Sequence, residues 1–302
     1  MLNTAEVRVA DLLAKLQRDG KDAVVDRVHP HFATSAQATL RWSTTKPPMA
    51  QIPPHLAAIV GPDPDWPWFM YDWNSLHLWL TAAYAGDQAL LATLRSGEDI
   101  HTANARDLFG ELHDWQGKDD PRRTVAKRFI YRVLKGGDFT KPPGTIPLGL
   151  VGGKPGNFIR AGKRWAYLHA PVLNWQATLK EAVRTRGEVR TESGKRRRFS
   201  DRSPHSQRAG VDYPCQATEV EILNETILKT CERFNNTVSF KYQRHDFICW
   251  GVHASVWNNA TLTALADIAE REIAINGETI KLEATFHTRE TLEGEKVAWV
   301  KK

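Results

Sequence analysis

Hydrophobic positions along the chain recur with two periods. In residues 5–19, "AEVRVADLLAKLQRD", Val9, Leu12, Leu13 and Leu16 fall at helical spacing and Gly20 follows as a stop, which predicts a short amphipathic helix. The helical period returns over 76–94, interrupted near Gly86, and over 122–134, about 170–185, 219–235 and 262–275. Alternation takes over in "TVSFKYQRHDFICWGVHASV", which predicts two strands around a tight turn, and "GEVRTESGKRRRFSD" predicts a hairpin turning at Ser193-Gly194 and leading into a basic segment. Prolines crowd residues 47–67, so the chain there is extended or turning before it enters a strand that ends at Asp72. Residues 136–156, "GGDFTKPPGTIPLGLVGGKPG", read as loops. No internal repeat appears, and the mixture of helices and hairpins is an α+β pattern.

The stretch "FMYDWNSLHLW", residues 69–79, runs through bulky apolar residues and then places one carboxylate, Asp72, where they end. A solvent-facing acid needs no such setting, whereas one whose oxygens must be held for a metal ion gains fixed geometry from a strand end. In "FKYQRHDFICWGV", residues 240–252, Arg244, His245 and Asp246 lie between apolar or alternating flanks, which places Asp246 at a hairpin turn. Two acids mounted on separate strands could hold a pair of hard cations, which take oxygen ligands and leave positions open for substrate phosphates. An isolated Asp is more often a turn or capping residue.

The segment "RRTVAKRFIYRVLKGG", residues 122–137, spaces Arg123, Lys127, Tyr131 and Lys135 four apart, on one helix face, with Phe129, Ile130, Val133 and Leu134 mostly on the others. No acid is interleaved among these cations, so they form either an anion-binding ridge or a solvated charged face.

Composition narrows the setting. At 302 residues and 41% hydrophobic, the chain can build one large or two ordinary domains. With 41 Lys+Arg against 35 Asp+Glu, its net +6 fits a polyanionic partner. Cys215, Cys231 and Cys249 are too few and too far apart for a zinc cluster or disulfide framework, so free thiols in a reducing compartment are expected. Neither a secretory signal nor a run of about 18 apolar residues is present, which points to the cytoplasm or a nucleoid.

Seven segments, taken in order, resemble the catalytic part of family A DNA polymerases, the DNA polymerase I-like enzymes, and particularly their phage branch. "TLRWSTTKPPMAQIPP" (39–54) is similar to T-G-R-L-S-S-x-x-P-N-L-Q-N-I-P, "DWNSLHLW" (72–79) to motif A, D-Y-S-Q-I-E-L-R, and "GEDIHTANARDLFG" (97–110) to G-x-D-I-H-T. "RRTVAKRFIYRVLKGG" is similar to motif B, R-x-x-x-K-x-x-x-[FY]-x-x-x-Y-G. "VRTESGKRRRF" (189–199) resembles T-x-x-G-R-x-R, "DYPCQATEVEIL" (212–223) resembles N-x-P-x-Q-G-T-A-A-D, and "RHDF" (244–247) resembles motif C, V-H-D-E.

The resemblance implies a polymerase palm with an antiparallel sheet plus a helical fingers subdomain. It assigns residues 1–20 to a thumb remnant, 21–115 and 188–302 to the palm and 116–187 to the fingers. Asp72 and Asp246 would bind two Mg²⁺ (or Mn²⁺) ions together with the backbone carbonyl of Trp73. His101, Arg123 and Lys127 would hold the incoming triphosphate, with Lys127 donating a proton to pyrophosphate and Tyr131 packing on the nucleotide. Arg41, Arg208, Gln216 and His245 would touch the primer-template. His101 also reads as a plain helix N-terminal residue, and Gln216 as a core-edge amide satisfied by backbone.

The chain departs from the family pattern at four positions: His77 replaces the motif A Glu at the sugar 2′ position, Lys135 the second motif B aromatic, Phe247 the motif C Glu and Trp79 the motif A Arg. A helical thumb, and usually an exonuclease domain, would precede residue 25 in the family, so a protein partner supplying thumb or exonuclease, or distributive synthesis over short stretches, is expected. The resemblance thus implies dNMP transfer from dNTPs to a primer in DNA replication or repair. The alternatives are a primer-synthesising or ribonucleotide-tolerant enzyme, motivated by His77, and an inactive DNA-binding scaffold.

Overall fold

The structure, a computed structural model, describes residues 30–34, 36–45, 48–52, 57, 60–111, 113–138, 155–291 and 294–301. The helix expected at 5–19 lies outside them. In chain order come β1 (His31–Ala33), β2 (Ser43–Thr45), β3 (Trp68–Trp73), α1 (Leu76–Ala85), α2 (Gln88–Arg95), α3 (Ile100–Phe109), α4 (Pro121–Leu134), α5 (Pro155–Leu168), α6 (Ala170–Thr185), β4 (Glu188–Arg190) and β5 (Arg196–Arg198). Then follow α7 (Pro204–Phe234), β6 (Val238–Arg244), β7 (Phe247–Val252), α8 (Asn259–Ala269), β8 (Glu272–Ile275), β9 (Glu278–Lys281), β10 (Ala284–Arg289) and β11 (Val297–Trp299). The architecture is α+β, and no described helix is long and apolar enough to cross a membrane.

Two compact units share these elements, and each is assembled from separate stretches of chain. The first comprises 1–76, 219–272 and 281–302, and is built on an antiparallel sheet of order β11-β10-β3-β7-β6. β3 is its central strand, buried on both faces at every position except Asp72, which is why its sequence is an unbroken apolar run rather than an alternation. Phe69 stacks on Phe286 at 5.5 Å between centroids, and Trp299 packs edge-on against both. Met49, Trp68, Met70, Tyr242 and Cys249 form a further part of the core. The Trp73 indole donates to the Ala269 carbonyl at the end of α8, 3.0 Å away, and Arg271 donates to Thr226 and to the Ile222 carbonyl of α7.

The second unit, 77–218 and 273–280, is mostly helical. α4 buries Val125, Ala126, Phe129, Ile130, Val133 and Leu134, the stripe that leaves its cationic face outward. Trp165 of α5 is fully buried and donates to Asn104 at 3.1 Å, while the Gln176 amide of α6 donates to the Val133 carbonyl at the end of α4. His169 reaches Asp87, itself the N-cap of α2, across 3.1 Å.

Three expected boundaries move. The helix expected from 219 begins at Pro204: Pro214 lies inside it, and a buried face that includes Val211, Cys215 and Leu223 holds the helix despite the lost backbone donor. The stretch read as loops to 156 gives way to α5 at Pro155, because proline is compatible with a first helical turn. The helix expected to 275 stops at Ala269, and 272–275 is a strand paired with β9 around Asn276-Gly277, whose φ values of 51° and 77° make a hairpin turn.

Candidate active site

In the first unit, sheet register brings the two acids together. Asp72, near the end of β3, pairs with Phe247, so its immediate cross-strand neighbourhood is the turn His245-Asp246 that joins β6 to β7. The Trp73 amide donates to the Asp246 carbonyl at 3.3 Å, tying the strand end to that turn. Both acids line a cavity of about 250 Å³ with Ile52, Tyr242, Arg244 and Arg289. Burial, followed by repulsion from Asp72 and Glu219, pushes the Asp246 carboxyl up to about 6. Burial also raises Asp72, against the pull of Lys296, Arg289 and Arg244.

These carboxylates fit a divalent cation, since both are raised by burial and a shared positive charge would relieve their mutual repulsion. Among the described residues no cluster of three or more metal-ligating side chains forms, so a cation here would rest on two acids, backbone oxygen and water.

Glu219 is a site residue that sequence reasoning missed. It is buried and accepts from Arg41 at 2.6 Å, so Arg41, expected at the primer-template, is engaged by an acid. Its position in helical phase with the buried Ile222 and Thr226 was the available signal, because an acid on a buried face needs a partner. His245 is exposed and adopts a left-handed φ of 60°.

In the second unit, α4 presents Arg123, Lys127, Tyr131 and Lys135 on its outer face, with Lys127 and Lys135 exposed. Asp120 caps the helix by accepting from the Arg122 amide, and its carboxyl, held by the Arg122 guanidinium, falls to about 2. No acid is interleaved within the segment, but one packs against it from outside: Asp99, preceding α3, takes a bidentate contact from Arg123 at 2.6 and 3.0 Å. Burial would raise the Asp99 carboxyl, but bonds from Arg123 and Thr102 hold it well below the usual carboxylate range.

Tyr131 lies between two imidazoles, 5.8 Å from His101 and 6.4 Å from His77. His101 is buried, and burial followed by Lys127 and Arg123 lowers it to about 4, so it is neutral at pH 7. His77 Nε2 stands 3.5 Å from an Asp212 oxygen, and the other Asp212 oxygen accepts from Gln216. The Gln216 amide thus donates to a side chain, and Asp212, to which the sequence reading gave no role, lies against both residues. Arg208 is exposed and lines a separate cavity of about 450 Å³ with Gly136, Gln176 and Lys180.

The sequence model of DNA polymerase family A matches residues 4–290. The chain belongs to DNA polymerase family A. A thermostable DNA polymerase I of Thermus thermophilus is 26% identical over 221 residues, covering 68% of this chain and 26% of that protein. The DNA polymerase I of Aquifex aeolicus is 23% identical over 225 residues, covering 73% of this chain and 37% of that protein. This family A chain thus spans 26% to 37% of the length of these relatives. Among solved structures, the polymerase domain of Pol1 from M. smegmatis, in complex with DNA primer-template and dNTP, shares the fold with a TM-score of 0.76 at 18% identity. The match covers 96% of this chain and 51% of that one.

Proposed function

We propose that this chain is a DNA-directed DNA polymerase, transferring dNMP from a dNTP to a primer 3′-hydroxyl. The observation that carries this reading is the placement of Asp72 and Asp246 at one strand end and one adjoining turn, their carboxyls raised by burial, in a family A chain. In the reaction the 3′-oxygen bonds to the α-phosphorus, the bond to the bridging oxygen breaks, and pyrophosphate leaves. Two Mg²⁺ ions bound at this pair would supply activation of the hydroxyl and neutralise charge on the phosphates.

The remaining work falls to side chains. Arg123, fixed by Asp99, presents a guanidinium of set orientation to the triphosphate, and exposed Lys127 adds a point charge and the proton for pyrophosphate. Neutral His101 can give a hydrogen bond to a phosphate oxygen without adding charge. Tyr131 offers a ring to the nucleotide, and base pairing, not the protein, reads sequence.

Extension of a labelled primer with Mg²⁺ and dNTPs, compared with Asp246→Ala, tests the proposal. Loss of at least about 10²–10³-fold in the variant is expected for removal of a group that stabilises the transition state. Equal extension by both proteins would sink it.

A further inference from the structure

One stretch carries a charge that the polymerase reading leaves unused. Between Asp138 and Glu181 the sequence contains no acid, yet it holds Lys141, Lys154, Arg160, Lys163, Arg164 and Lys180. Those six cations equal the net +6 of the whole chain, so the remainder is balanced.

α5 displays part of this charge in an ordered way. At roughly 100° per residue, Ile159, Lys163, Tyr167, Arg160, Arg164 and Leu168 follow one another around one half of the helix, and Trp165 occupies the buried half. All six are exposed, and Tyr167, in the centre of the arc between cations, is 84% exposed. A solvated basic face requires neither an aromatic at its midpoint nor a fringe of exposed Ile159 and Leu168. A ring flanked by cations is what a single-stranded nucleic acid uses: the cations neutralise phosphates and the ring stacks on an unpaired base. Duplex DNA keeps its bases stacked internally and offers no free face to Tyr167.

We infer that the outer face of α5 is a binding surface for single-stranded DNA, with Arg160, Lys163 and Arg164 on the backbone and Tyr167 against a base. The choice of DNA as the polyanion rests on the polymerase reading. The surface itself contains none of the residues placed in the catalytic machinery.

Binding of the full chain to a fluorescent oligothymidine of about 20 nucleotides, followed by anisotropy across a salt series, tests the inference. Replacing all three cations (Arg160→Gln, Lys163→Gln, Arg164→Gln) is expected to weaken binding about tenfold or more and to flatten the log-affinity against log-salt slope by about 2. Tyr167→Ala should weaken it about tenfold with the slope unchanged. Asp246→Ala should bind the oligonucleotide like the parent, which separates failure of this surface from failure of the catalytic reading.

Photo-crosslinking of an iododeoxyuridine oligonucleotide to the unaltered protein, mapped by peptide mass spectrometry, should mark residues 159–168 and serves if a variant misfolds. Unchanged affinity in the triple variant, or cross-links confined to other segments, would each overturn the proposal.

Discussion

At the scale of single residues, the two carboxylates were legible because each breaks a local pattern: Asp72 interrupts a run of buried side chains, and Asp246 occupies a turn between apolar strands. Pairings across the sequence were not legible. His77 and Asp212 are distant in the chain, and no periodicity in either segment refers to the other. Under the proposed polymerase reading His77 stands at the sugar 2′ position, and its Nε2 lies 3.5 Å from an Asp212 oxygen. His77→Ala is accordingly expected to raise the ratio of NTP to dNTP incorporation, measured by parallel primer extension, by about tenfold, the scale of one lost contact in a pocket. A second expectation concerns acid stability. His101 is neutral in the fold with its pKa lowered from 6.5 to about 4, so the unfolded chain binds the extra proton first. Its contribution is intact above pH 6.5 and is lost as pH falls through about 4. Urea midpoints for His101→Gln should therefore decline less steeply than the parent's over that window; parallel declines would refute the assignment.

Among elements, legibility followed punctuation. α1, α2 and α4 carry clear periodicity with Gly86 or Asp120 at their ends, α6 carries periodicity and ends before Gly187, and the β6–β7 hairpin alternates around a polar tip. α7 was cut short because the expectation began it at 219, although its buried face already includes Val211 and Cys215 on either side of Pro214. The β8–β9 hairpin was missed despite Asn276-Gly277, since alternating Ile273 and Ile275 over so short a run fit the end of a helix equally well. Packing between elements sets two contrasting glycine expectations. A Cβ on Gly210 of α7 would come within 2.4 Å of Val183 on α6, a branched side chain in the core, so Gly210→Ala should cost about 1–3 kcal/mol in urea unfolding. The atoms nearest a Cβ on Gly251 belong to the flexible stem of Lys241, which can move aside, so Gly251→Ala should cost far less. Equal losses would mean that the backbone, not the neighbour, decides.

For the molecule as a whole, the family was legible because the order of its motifs survives even where individual positions change. The first unit, by contrast, is assembled from three separate stretches, and no local signal announces which distant strands will neighbour β3. If the acid pair takes divalent cations, Mg²⁺ should raise the thermal midpoint of the parent by a few degrees through mass action, and should not raise that of Asp246→Ala. An identical response in both proteins would place cation binding elsewhere. The turn beside this pair carries a cost of its own. A left-handed φ of 60° at His245 costs a side-chain-bearing residue on the order of 1 kcal/mol, which glycine would avoid. Exchange for glycine therefore trades an imidazole for an easier backbone: His245→Gly should raise the thermal midpoint, and slower primer extension by the same variant would give the imidazole a part in the proposed reaction.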